Sequence, residues 1–165
     1  MMARAYLLKP ELIVADEPVS MVDASLRSMI LQIMRTMRDE HGISFLYITH
    51  DLATAHQISD ETFLMYQGHT VEHGVGTSVL TQPRHPYVQQ LVASIPRIDM
   101  KWEGTITLPD NAASGHSAPV GCPFTARCPY RMDICTTTMP KLVQIGADDQ
   151  QAACFQYEQQ SVAHS

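Results

Sequence analysis

The chain has 165 residues, a hydrophobic content of 45% and a formal net charge of −6. This length allows one ordinary domain, or one small domain with an appendage, and the acidic balance with only three lysines argues against binding to a nucleic-acid backbone. Because no apolar run approaches the roughly 18–20 residues that cross a bilayer, and the N-terminus lacks a secretory pattern, we expect a cytoplasmic protein.

The first sixty residues show alternating helix and strand patterns. Residues 1–8 are good helix formers that end at a Lys-Pro pair, and the apolar run 12–15 predicts a strand buried on both faces. Residues 44–49 predict a second strand, and residues 52–58 a short helix. Between the strands, a helix from Ala24 to about Glu40 is predicted by apolar residues that recur at helical spacing: Leu26, Met29, Ile30, Ile33, Met34 and Met37. This order predicts a parallel sheet with crossover helices.

The rest of the chain has shorter and less regular patterns. Residues 62–66 and 70–72 predict a hairpin, and residues 87–95 a short helix. Residues 104–121, rich in Gly, Ala, Ser, Pro and Asn, are typical of a linker. Four cysteines follow, and then a polar tail from about Tyr157.

Polar side chains follow both predicted strands. Asp16 and Glu17 end the first strand and His50 follows the second, at the sheet edge where open α/β sheets bind ligands. One carboxylate can hold Mg²⁺ while its neighbour polarises a water that attacks phosphorus. Alternatively, the acidic pair only turns the chain, Asp23 caps the following helix and the histidine is structural.

These segments resemble three ordered motifs of ABC ATPases. Residues 12–18 (Leu-Ile-Val-Ala-Asp-Glu-Pro) resemble the Walker B strand, 20–23 (Ser-Met-Val-Asp) the D-loop and 48–51 (Ile-Thr-His-Asp) the H-loop. The D-loop departs mildly, since the family usually has Ala-Leu where this chain has Met21 and Val22.

The resemblance implies the fold, the cofactors and the residue roles. The fold would be α/β, part of the parallel sheet of a P-loop NTPase, and the cofactors ATP and Mg²⁺. Asp16 would bind Mg²⁺ through water, Glu17 would be the general base and His50 would contact the γ-phosphate. Ser20 and Asp23 would belong to the nucleotide site, with Asp23 communicating across a nucleotide-sandwich dimer.

The phosphate-binding part of an ABC ATPase is not found in these residues. No lysine follows a glycine, so there is no Gly-x-x-x-x-Gly-Lys-Ser/Thr loop, and no Leu-Ser-Gly-Gly-Gln signature is present. We therefore expect a fragment with negligible ATPase activity on its own.

The C-terminal half carries a second resemblance. Residues 82–87 (Gln-Pro-Arg-His-Pro-Tyr) resemble the segment that begins the C-terminal extension of oligopeptide/dipeptide importer ATPases, and we expect a structural role, with Tyr87 packing the extension against the ATPase domain. The four cysteines are Cys122, Cys128, Cys135 and Cys154.

The cysteine spacing allows convergence on one metal centre, disulfides or buried free thiols. The same subfamily resemblance implies a [4Fe-4S] cluster held by all four cysteines, with tetrahedral Zn²⁺ as the alternative. A histidine usual shortly before the last cysteine of such proteins is replaced here by glutamine.

Together these features predict an ATPase part over residues 1–81, an irregular cysteine-rich extension over 82–157 and a polar tail over 158–165. The resemblance implies an ATP-hydrolysing subunit of a peptide importer, peripheral on the cytoplasmic side of the membrane. Its partners would be transmembrane permease subunits, a second ATP-binding subunit and, indirectly, a substrate-binding protein. The alternative is a non-catalytic metal-binding or regulatory module that retains half of an ATPase scaffold.

Overall fold

Helices and strands alternate along the N-terminal half, as the sequence predicts. The structure is a computed structural model that describes residues 2–76, 78–95, 120–145 and 149–161. By their internal contacts, the residues divide into two compact units, Met1–Asp60 and Glu61–Ser165. The boundary that the sequence predicts between the ATPase part and the extension, at residues 81 and 82, is a different division and stays a prediction.

The first unit holds a pair of parallel strands and three helices in its described part. Strands β1 and β2 pair from Leu12↔Ser44 to Asp16↔Ile48, so their carboxyl ends lie side by side. The elements, in chain order, are α1 (Met2–Leu7), β1 (Leu12–Asp16), α2 (Ala24–His41), β2 (Ser44–Ile48) and α3 (Leu52–Ile58).

Local signals explain where α2 begins and ends. The Asp23 side chain accepts a hydrogen bond from the Leu26 amide and caps the N-terminus. Gly42 has φ 66°, a left-handed conformation that glycine adopts without steric cost, and its amide reaches the Arg38 carbonyl. The predicted bounds of this helix are therefore confirmed within a residue or two.

The core of the first unit is smaller than the sequence predicts. Its buried centre is Val19, Leu31 and Met34. The prediction that β1 is buried on both faces is wrong, because Leu12 and Val14 are 55% and 59% exposed. The apolar stripe predicted on α2 is also wrong in part: Leu26, Met29 and Ile33 are exposed, whereas Leu31, which was not predicted, is buried. The described elements cover only one face of this strand pair, so alternate side chains stay open to solvent.

The second unit is built on an antiparallel sheet, whose strands in spatial order are β3 (Glu61–Tyr66), β4 (His69–Val75), β6 (Gln151–Ala152) and β5 (Val143–Gln144). The predicted hairpin is confirmed as its first two strands, which meet at a turn with positive φ at Gln67 and Gly68. The elements are β3 (Glu61–Tyr66), β4 (His69–Val75), α4 (Ser78–Thr81), α5 (Pro86–Ala93), a 3₁₀ turn (Thr125–Arg127), α6 (Ile134–Thr137), β5 (Val143–Gln144), β6 (Gln151–Ala152) and α7 (Phe155–Ser161).

An aromatic cluster forms much of the core of the second unit. Phe124 is 1% exposed, and its ring packs edge-on against the rings of Tyr66, Tyr87 and His85. The Tyr87 ring also lies 4.7 Å from the Tyr66 ring, centroid to centroid. Tyr87 therefore joins the extension to strand β3, which lies in the predicted ATPase part.

Some predictions for the C-terminal half lie outside the described residues. The predicted linker 104–121 is described only at residues 120 and 121, where Gly121 is buried. The first residues of the predicted polar tail belong to α7, which extends through Ser161. Among the described residues, no helix has the length and apolar character needed to span a bilayer.

Candidate functional site

Glu17 and His50 meet at the carboxyl ends of the parallel strands. One Glu17 carboxylate oxygen, Oε1, lies 2.6 Å from His50 Nδ1 and also accepts a hydrogen bond from the His50 backbone amide at 3.2 Å. The Glu17 amide donates to the Ile48 carbonyl at 2.9 Å, which extends the strand pairing by one residue. The imidazole is thus on the same side of the sheet as the acid, as the sequence predicts, and its side chain is 81% exposed.

The backbone at Glu17 adopts an uncommon conformation. Its φ is 46°, in the left-handed region that costs a non-glycine residue about 1 kcal/mol. Its carbonyl accepts hydrogen bonds from both the amide and the hydroxyl of Ser20, at 3.3 and 3.0 Å. Such backbone strain clusters at functional sites, and here it turns the carboxylate toward His50.

The other predicted site residues have distinct environments. Asp16 is exposed, and among the described residues no hydrogen-bond or ion-pair partner of its carboxylate is found. It is therefore available for a hydrated cation. Asp23 is the N-cap of α2; the hydrogen bonds from the Leu26 amide and the Ser25 hydroxyl lower its pKa. The helix-capping interpretation of Asp23 is correct, and an intersubunit role stays a prediction.

An ion pair that sequence reasoning missed supports this edge of the unit. Arg27 on α2 donates from Nη1 to Asp51 Oδ2 at 3.1 Å. The other oxygen of Asp51 accepts from the amides of Ala53 and Thr54 and caps α3. Because Asp51 follows His50 directly, this contact links the helix after the candidate D-loop to the strand end that presents the histidine. Helical spacing alone gives no signal for it, since the partners are far apart in sequence.

The four cysteines lie in the second unit and all are free thiols. The Cys122 amide donates to the Cys135 carbonyl at 2.8 Å, and the Thr125 hydroxyl contacts the carbonyl oxygens of both residues. Gly121 allows this approach, because a Cβ at that position would overlap the Cys135 carbonyl. Two of the cysteine-bearing segments are therefore held together by backbone contacts.

Burial raises the pKa of three of the thiols. The pKa values of Cys122 and Cys128 are raised by burial, and that of Cys154 is raised to about 11. The other three thiols add to the rise in the pKa of Cys154. Without a metal the thiols of Cys122, Cys128 and Cys154 are neutral at pH 7, and metal binding would release their protons.

The four cysteine sulfurs are ligands that soft metals bind, but in this structure they are not arranged around a single ion. Four sulfurs are the ligands that zinc and iron–sulfur clusters take. In the described ranges, however, no three His, Cys, Asp or Glu side chains are close enough to hold one metal ion. The thiols therefore fit a metal group by ligand chemistry, and their arrangement in this structure does not surround one ion.

A buried carboxylate, which the sequence analysis assigned only to a strand, lies beside this region. Glu72 is fully buried and its side chain accepts hydrogen bonds from the Arg84 and His85 amides and from Gln150. A charged residue inside a short strand is the only sequence signal, and it does not distinguish a buried from an exposed position.

Comparison with known proteins agrees with both resemblances. Residues 71–135 match the family model described as the oligopeptide/dipeptide transporter, C-terminal region. The dipeptide transport ATP-binding protein DppF of Escherichia coli (strain K12) is 40% identical over 159 residues, which are 95% of this chain and 47% of that protein. The oligopeptide transport ATP-binding protein OppD of the same organism is 37% identical over 140 residues, or 85% of this chain and 42% of that protein.

A relative from a second organism is similar over nearly the whole of this chain. The dipeptide transport ATP-binding protein DppD of Bacillus subtilis (strain 168) is 32% identical over 159 residues, or 96% of this chain and 47% of that protein. The chain spans about half the length of the relatives it matches. The recognition made from the sequence is therefore confirmed: over nearly its whole length the chain is similar to part of the ATP-binding proteins of oligopeptide and dipeptide ABC importers, and it includes their C-terminal region.

Proposed function

We propose that this chain supplies the magnesium, water and γ-phosphate contacts of an ATP-binding subunit in a peptide ABC importer. The observation that carries this is the 2.6 Å contact between Glu17 and His50 at the paired ends of β1 and β2. An acid and an imidazole at the carboxyl edge of a parallel pair suit proton transfer beside a bound phosphate. The β1 segment with its acidic end is the Walker B strand in this proposal.

Each site residue has one task in hydrolysis. Glu17 accepts a proton from the water that attacks the γ-phosphorus, while the bond from that phosphorus to the β–γ bridging oxygen breaks. His50 donates a hydrogen bond to the γ-phosphate, and Asp16 would hold Mg²⁺, which would neutralise charge on the phosphate oxygens. Ser20 fixes the Glu17 turn, and Asp23 faces a second ATP-binding subunit.

The proposed partners and location are those of a peptide importer, and the similarity to peptide-transport ATP-binding proteins supports them. The chain acts with transmembrane permease subunits and a second ATP-binding subunit, at the cytoplasmic face of the membrane. A substrate-binding protein delivers the peptide to the permease. The parallel strand pair of the first unit is part of the larger parallel sheet of a P-loop NTPase.

The 165-residue chain by itself should turn over little or no ATP. It lacks a Gly-x-x-x-x-Gly-Lys-Ser/Thr loop, whose amides and lysine cradle the phosphates. We expect no Mg²⁺-dependent phosphate release above background. Turnover by this chain that Glu17→Gln abolishes would contradict this expectation.

A chimera tests the site itself. The segment of E. coli DppF that this chain matches is replaced by the matching residues of this chain, and ATP hydrolysis and dipeptide uptake are measured in membranes and in cells. We expect the chimera to hydrolyse ATP, and Glu17→Gln or His50→Ala to lower hydrolysis about 100-fold, the lower range for general acid–base groups. Exposed Gln57, on α3, provides the control variant Gln57→Ala, which should keep full activity.

Two outcomes would contradict the proposal. The first is a chimera that reaches the membrane with its permease partners but hydrolyses no ATP. The second is an active chimera in which the Glu17 and His50 variants behave like Gln57→Ala.

The cysteine-rich extension binds a metal group through Cys122, Cys128, Cys135 and Cys154 in this proposal, as a [4Fe-4S] cluster or as Zn²⁺. The support is their shared location in one unit and the absence of disulfides among them. Iron and zinc are measured in anaerobically purified protein, with Cys128→Ala and Cys154→Ala as variants. We expect one of the two metals in a fixed ratio to the chain and its loss in both variants; protein that contains neither metal contradicts the site.

The same measurements address the alternative function. Metal in the wild-type chain together with a chimera that neither binds nor hydrolyses nucleotide would favour a non-catalytic metal-binding module. Hydrolysis by the chimera would exclude that module as the whole function.

A further inference from the structure

Glu72 is a buried carboxylate at the junction of three segments of the second unit. Its exposure is 0%, and its two oxygens accept from the Arg84 amide at 2.9 and 3.1 Å and from the His85 amide at 2.7 Å. Burial raises its pKa, while these hydrogen bonds oppose the rise. A buried acid without such donors would be strongly destabilising, so the donors account for its presence.

Gln150 provides the third donor and joins the C-terminal end of the chain to this carboxylate. Its side chain is 2% exposed, and its amide nitrogen donates to Glu72 Oε1 at 2.7 Å and to the Gln82 carbonyl at 2.9 Å. Both amide hydrogens therefore have partners. The neighbouring Gln151 is only half-buried and makes no side-chain contact of this kind within the described residues.

The contact fixes the strand that leads to the last cysteine. Immediately after Gln150, β6 pairs with β4 through Glu72↔Ala152, and the Ala153 amide donates to the Val71 carbonyl at 2.9 Å. Cys154 follows directly. Because β6 has only two residues, its pairing alone is a weak restraint, and the buried side-chain contact adds one that is anchored in the longer strand β4.

We propose that Glu72 and Gln150 form a buried tie that holds the segment carrying Cys154 in place, so that both act as positioning residues of the proposed four-thiol site. The biological role of this tie rests on the proposed metal-binding function. The contacts of Glu72 and Gln150 do not depend on that function. A carboxylate suits this position because it accepts from two backbone amides and one side-chain amide at once, which a neutral side chain cannot do as well.

Site-resolved thiol alkylation tests the tie in the full chain. Wild type, Glu72→Gln and Gln150→Ala are purified anaerobically and analysed for metal. Any bound metal is then removed with a chelator, the proteins are exposed to iodoacetamide, and the rate at each cysteine is followed by peptide mass spectrometry. We expect Cys154 to react about 10-fold faster or more in both variants, since local opening exposes only the released segment. Rates at Cys122 and Cys128 should stay within about 2-fold of wild type.

Two further variants separate positioning from folding in general. Gln151→Ala is the matched control and should react like wild type. In the double variant Glu72→Gln/Gln150→Ala both changes remove the same contact, so we expect its Cys154 rate to stay close to that of the faster single variant. A uniform rise at all four thiols, an unchanged Cys154 rate or a double variant in which the two rate increases multiply would each overturn the tie.

Metal analysis of the same samples keeps the two proposals distinct. If the wild-type chain holds no metal and only Cys154 reacts faster in the variants, the tie is supported and the metal site is contradicted. Metal retained at the wild-type level in both single variants overturns the positioning role of Glu72 and Gln150, even where the metal site itself is real.

Discussion

His85 is the buried titratable residue whose charge state depends most clearly on folding. It is 1% exposed, and burial lowers its pKa to about 4 from the ordinary 6.5. Between these values the unfolded chain binds a proton that the folded chain does not, so the stability contribution is complete above pH 6.5 and is lost as the pH falls toward 4. The shift corresponds to about 3 kcal/mol.

The variant His85→Asn isolates this effect, because asparagine can still accept the Tyr87 amide as a helix cap. We expect the difference in unfolding free energy between wild type and variant, measured in urea, to rise from pH 4 to 6.5 and then level off. Taking a difference removes the opposite trend of Glu72, whose raised pKa lowers stability as the pH rises above 4.5. Exposed His69→Asn is the control, and a flat difference curve would contradict the prediction.

Gly121 and Gly74 should respond differently to an added methyl group. A Cβ at Gly121 would overlap the Cys135 carbonyl and lie 2.7 Å from the Thr136 carbonyl carbon, so backbone must move. At Gly74 the nearest atoms, at 2.6 and 2.8 Å, are side-chain ends of Val79 and Ser78. We expect Gly121→Ala to cost about 3 kcal/mol or more and Gly74→Ala about half of that, by urea unfolding. Equal losses of unfolding free energy in the two variants would show that the backbone at Cys135 moves away from the added methyl group as easily as the side chains at Gly74 do.

At the level of elements, α3 depends on a cap that is also an ion pair. Asp51→Ala removes the cap and the contact with Arg27, whereas Asp51→Asn keeps a capping oxygen and loses only the charge. We expect a cost of about 1 kcal/mol for the cap and at most about 1 kcal/mol for the half-exposed ion pair.

Asp23, for which no ion pair is found among the described residues, gives the matched comparison: Asp23→Asn should be near neutral in urea unfolding followed by circular dichroism. An Asp51→Asn variant as stable as Asp23→Asn would show that the ion pair contributes nothing.

The elements that local patterns define were predictable, and those that long-range contacts define were not. Helix α2 has a cap, an apolar period and a C-terminal glycine, so its bounds follow from Asp23 to Gly42 alone. Strand β6 has two residues and forms only because β4 and β5 lie beside it. The Glu17–His50 approach was predictable from the parallel order of two strands, whereas the partners of Glu72 lie up to 78 residues away and leave no local signal.

On the scale of the whole molecule, both units leave apolar strand residues exposed, but their sheets differ in size. In the second unit Phe63 and Met65 are 57% and 58% exposed, in a sheet of four strands among the described residues. The first unit leaves apolar side chains of both strands open to solvent, in a sheet with only two strands among the described residues. Exposed apolar strands with free edges promote association between chains. We therefore expect self-association of the 165-residue chain to proceed through the first unit.

Val14 and Leu46 offer a direct test, since they are register partners with exposures of 59% and 52%. The double variant Val14→Thr/Leu46→Thr places β-branched residues, which favour strands, at both positions and removes the apolar contact surface. We expect less self-association in sedimentation velocity, with the unfolding free energy changed by no more than about 0.5 kcal/mol per site. Val19→Thr places a hydroxyl at a position that is 2% exposed, so it should destabilise the unit by about 1–3 kcal/mol without reducing association. Unchanged association of the double variant would assign the contact to another surface, because these two side chains form the centre of the exposed strand face.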